Sequence, residues 1–109
     1  MDLTKEQRLQ VYKKMLEIAI EDRKLSMIIN PNDGDLLYGL CACLSIALTE
    51  LKIYFNYHNK INHMPELIAL KPKFKGPIEP LYWWSTKSTS MTRINKLKKV
   101  IADMEKEIN

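Results

Sequence analysis

Between Lys71 and Arg93 the chain reads KPKFKGPIEPLYWWSTKSTSMTR. Three spaced lysines, three consecutive aromatics, a run of hydroxyl side chains and an arginine follow one another there, the components of a pocket for a ligand that joins phosphate to a ring. Lysine and arginine supply charge and N–H donors to phosphate. Tyr82, Trp83 and Trp84 offer flat faces on which a nucleobase stacks. The expected ligand contacts are therefore Arg93, Lys87, Trp83, Trp84 and Tyr82, with Lys71 and Lys73 beside them. Tyr38 joins them from the start of an apolar helix, where backbone amides attract anions. Arg93 in the first turn of the last helix opposes the helix dipole. A bound anion relieves that conflict, as would a nearby carboxylate such as Glu79. A second reading of the tryptophans stays open, because each can anchor the core of a small helical domain. Adjacent residues do not both face a core, so one packs inward and the other stays partly exposed.

The remaining chemistry-bearing residues read as structural. Cys41 and Cys43 lie two apart, which on a helix turns their side chains about 200° from one another. They do not chelate one ion together with His58 and His63 unless the helix breaks, and a structural zinc needs four converging ligands. No electropositive setting surrounds either thiol to make it a nucleophile, so both are expected as small, reduced packing residues. Neither a metal, a cofactor nor a catalytic set is predicted, and the chain is expected to bind rather than to catalyse.

Charge is unevenly placed. Residues 1–70 carry eight Lys/Arg against nine Asp/Glu, residues 71–99 eight against one, and residues 100–109 one against three. A basic block of this kind marks attraction to phosphate, to an acidic partner or to an anionic surface. Hydrophobic content of 46% beside 28% charged residues is that of a globular chain and argues against a disordered one, and 109 residues are expected to make one domain, 1–109. Met1 is followed by the polar run DLTKEQRLQ, which is neither a secretory nor a transit signal. The longest uncharged run, Leu36–Thr49, is 14 residues, too short for a membrane span of about 20. With two cysteines and no export signal, a cytoplasmic location is expected.

The elements that must position these residues are helices. Thr4-x-x-Gln7 is a capping box, and Leu9, Tyr12, Leu16 and Ala19, widened by Val11, Met15 and Ile18, predict a helix over 5–28. Asn30-Pro31-Asn32-Asp33-Gly34 stops it. A second helix is predicted from Leu36 to about Tyr57, apolar on nearly all sides and hence central. His63-Met64-Pro65-Glu66 starts a short third helix with proline in its first turn, ended by Lys71-Pro72. Three prolines and Gly76 impose an extended path over 71–80. Thr86, Ser88, Thr89 and Ser90 are candidate caps for a last helix whose stripe is Met91, Ile94, Leu97, Ile101, Met104 and Ile108. The fold class is all-α, an irregular four-helix domain with a Pro-rich extended loop before the last helix.

The segments Gly39–Cys41 (GLC), Met64–Leu67 (MPEL), Lys71–Lys73 (KPK), Tyr82–Trp84 (YWW) and the Arg93-x-x-x-Leu97 helix start resemble, in order and spacing, a family of small phage and prophage proteins. The resemblance covers the chain from the second helix onward. It implies a viral protein in a bacterial cytoplasm, and some phage proteins of this size and basic character act as oligomeric sponges for the nucleotide signals of bacterial immunity. The expected function is non-enzymatic sequestration of a phosphate-bearing nucleotide by a homo-oligomer. The alternative is a protein or nucleic-acid interaction module using the basic face of the last helix.

Overall fold

The computed structural model describes residues 3–29, 31–32, 39–53, 63–69 and 90–108, and of residues 39–41 and 90–93 the backbone alone. Four helices make up the described chain: α1 (Lys5–Ile29), α2 (Gly39–Glu50), α3 (Pro65–Ile68) and α4 (Ser90–Ile108). No strand occurs among the described residues, and the fold is all-α.

α1 starts where the capping box places it. The Thr4 backbone N–H donates to Gln7 Oε1 at 2.8 Å, and the Gln7 N–H donates to Thr4 Oγ1 at 3.2 Å, so two amides that the helix leaves over are satisfied reciprocally. The helix stops at Ile29, and Pro31 and Asn32 form a turn. Its buried face runs through Tyr12, Met15 and Ala19 and then, at the same spacing of three and four, through Asp22 and Ser26. The apolar stripe legible in the sequence is thus continued by two polar residues.

α2 is shorter than its apolar run predicts and does not reach Tyr57. It ends at Glu50 because Lys52 takes a left-handed conformation, φ 58°. The Lys52 N–H then donates to the Thr49 carbonyl at 3.0 Å and the Ile53 N–H to the Leu48 carbonyl at 2.9 Å. This is a Schellman closure, and Ile53 packs on the core that contains Leu48, the hydrophobic contact that accompanies the motif. α2 also buries one face, Cys43, Leu44, Ala47 and Leu48, while Thr49 and Glu50 are exposed. Ala42, Ser45 and Ile46 are half-buried, so no position from 42 to 48 is exposed.

α3 is a single turn with Pro65 in its first position and Met64 preceding it, as the sequence predicts. α4 opens at Ser90, inside the predicted run of caps, and buries Ile94, Leu97, Ile101 and Met104, four members of its predicted stripe. These residues meet Leu9, Val11, Tyr12 and Met15 of α1, the α2 face, Met64 and Leu67 in one core. α1 packs against both α2 and α4 and is the spine of the described fold.

Candidate functional site

Of the eight predicted ligand contacts, Tyr38, Lys71, Lys73, Tyr82, Trp83, Trp84 and Lys87 lie outside the described residues. Arg93 falls near the start of α4, in register with the buried Leu97 one turn later, and its side chain also lies outside them. Beyond Arg93 the helix exposes Lys98, Lys99 and Lys106 together with Asp103 and Glu107, whereas Lys96 is half-buried. Exposed amines are chemically suited to phosphate or carboxylate partners.

A polar cluster that sequence reasoning missed sits between α1 and α3. The Arg8 guanidinium donates through Nε to Glu66 Oε1 at 2.9 Å and through its terminal nitrogens to Glu66 Oε2 at 3.1 Å and to the Leu3 carbonyl at 2.8 Å. The Tyr12 hydroxyl donates to Glu66 Oε1 at 2.6 Å, and Tyr12 is otherwise fully buried. A forked guanidinium–carboxylate pair of this kind combines charge with fixed geometry. Burial works to raise the Glu66 carboxyl, but the hydrogen bonds from Arg8 and Tyr12 outweigh it and hold the group below its ordinary value. Tyr12 is pushed well above the ordinary phenol range, by burial first and then by its bond to the Glu66 carboxylate. The carboxylate that results is a weak base engaged by three donors, so the cluster clasps the single turn of α3 to α1. No local signal foretells it, because Arg8 and Glu66 are 58 residues apart.

Two grooves flank α1. One, about 430 Å³, lies between α1 and α2 and is lined by Glu17, Glu21, Asp22 and Glu50 with Ile18, Leu25 and Ile46; Lys14 is the cation on its wall. Lys14 is shared between Glu50 at 3.1 Å and Glu17 at 3.5 Å, and the bond to Glu50 raises its affinity for the proton above the usual lysine value. The other, about 400 Å³, lies between the start of α1, α3 and the end of α4, with Glu66, Asp103 and Glu107 on its walls beside Lys5. Lys5 pairs with Glu107 across it. Among the described residues carboxylates outnumber cations on the walls of both grooves.

No family model, curated protein or solved structure matches this chain. Its chemistry rests on its own residues. Among the described residues no three His, Cys, Asp or Glu side chains are grouped to hold a metal ion, and no helix is long and apolar enough to cross a membrane. Cys43 is buried in the core face of α2, where a thiol behaves as a small hydrophobe.

Proposed function

We propose that this chain is a non-enzymatic binding protein that sequesters a phosphate-bearing nucleotide signal, in the manner of a phage anti-defence sponge working in the cytoplasm of a bacterial host. The observation that carries this reading is the segregation of charge: eight Lys/Arg against one acidic residue over 71–99, while among the described residues the grooves along α1 carry more carboxylates than cations. An anion is drawn to the first region. Arg93 and Lys87 supply the charge-assisted donors, one of Trp83 or Trp84 the stacking face, and Tyr82, Lys71, Lys73 and Tyr38 the surroundings. Tight capture needs the ligand enclosed. A single small domain offers little concavity, so the pocket is completed between helices or across the interface of a homo-oligomer.

A second reading is favoured by one observation. Lys98 and Lys99 are exposed on α4, and a basic helix face also suits an acidic protein or a nucleic acid. The two readings separate by experiment. A small-ligand binder gains thermal stability with its nucleotide by mass action, whereas a polyanion binder responds to DNA or heparin and loses affinity steeply with salt. In a thermal-shift screen over cyclic di- and trinucleotides and ADP-ribose isomers, one class is expected to raise the melting temperature. Calorimetry should then show Arg93→Ala and Lys87→Ala each losing about 1.5 to 3 kcal/mol of binding, with folding stability changed by no more than about 0.5 kcal/mol. Unchanged affinity in both variants removes the nucleotide reading.

A further inference from the structure

We draw no further inference here: the strongest candidate, the exposed apolar end of α1 at Leu25, Ile28 and Ile29 beside the groove between α1 and α2 that Leu25 also lines, carries none because nothing in the structure shows what covers it.

Discussion

Glu66 shows how a single side chain organises an element too short to hold itself. One turn of helix has almost no intrinsic stability, yet α3 keeps its place because Glu66 accepts from Arg8 and Tyr12 of α1 while Leu67 and Met64 enter the core. Tyr12→Phe removes a hydrogen bond to a charged group and should cost about 1.5 to 3 kcal/mol. The acid limb of stability follows from the same cluster. The folded carboxyl lies below its ordinary value of 4.5, so the unfolded chain takes up the proton first. The contribution is fully present above that pH and is lost as pH falls through the lower folded value. Urea titrations at a series of pH values should show Glu66→Gln less stable than wild type at neutral pH, with the difference shrinking on the acid side. Tyr12 acts at the other limb: its hydroxyl is raised above 10.0, so stability is lost as pH rises beyond that value, and Tyr12→Phe should lack this loss.

Among the helices, α2 carries the clearest conflict between local preference and tertiary demand. Its apolar sequence favours continuation, but Ile53 reaches the core only if the chain turns at Lys52, and the turn requires φ 58° from a residue with a Cβ. Such a conformation costs roughly 1 kcal/mol in a non-glycine residue. Lys52→Gly relieves that strain while giving the unfolded chain more freedom, and a net gain of about 0.5 kcal/mol is expected. Chemical denaturation of the two proteins side by side measures it, and a loss of stability would show that the lysine side chain contributes at this position. The ion pairs joining α1 to its neighbours contribute less. Lys13–Glu105 spans 3.6 Å between half-exposed groups, and such pairs are worth little.

The described molecule is two packing interfaces sharing one helix. α1 meets α2 on one side and α4 on another, so neither interface can open without exposing residues that serve the other. Leu44→Ala in α2 and Leu97→Ala in α4 both empty fully buried sites and should each cost about 2 to 5 kcal/mol. The expected signature is one cooperative transition that moves to lower denaturant in both variants. Two separate transitions in either variant would mean that α2 and α4 fold on α1 independently.

How much of this was legible in the chain divides along a physical line. Periodicity and capping chemistry act over a few residues, so the sequence by itself determined that the fold is helical, where α1 begins at Thr4 and Gln7, that Pro65 opens α3, and which face of α4 is buried. It also determined the charge asymmetry that draws attention to residues 71–99. The tertiary structure alone decided what depends on partners distant in sequence. The end of α2 is set by Ile53 entering the core, not by its own apolar run. The partner of Glu66 is an arginine 58 residues away, and the burial of Asp22 and Ser26 has no apolar signal in the sequence to announce it. The acidic groove likewise exists only when Glu50 of α2 is folded against Glu17 and Glu21 of α1, since burial and electrostatic fields belong to the packed molecule and have no counterpart in the order of residues along the chain.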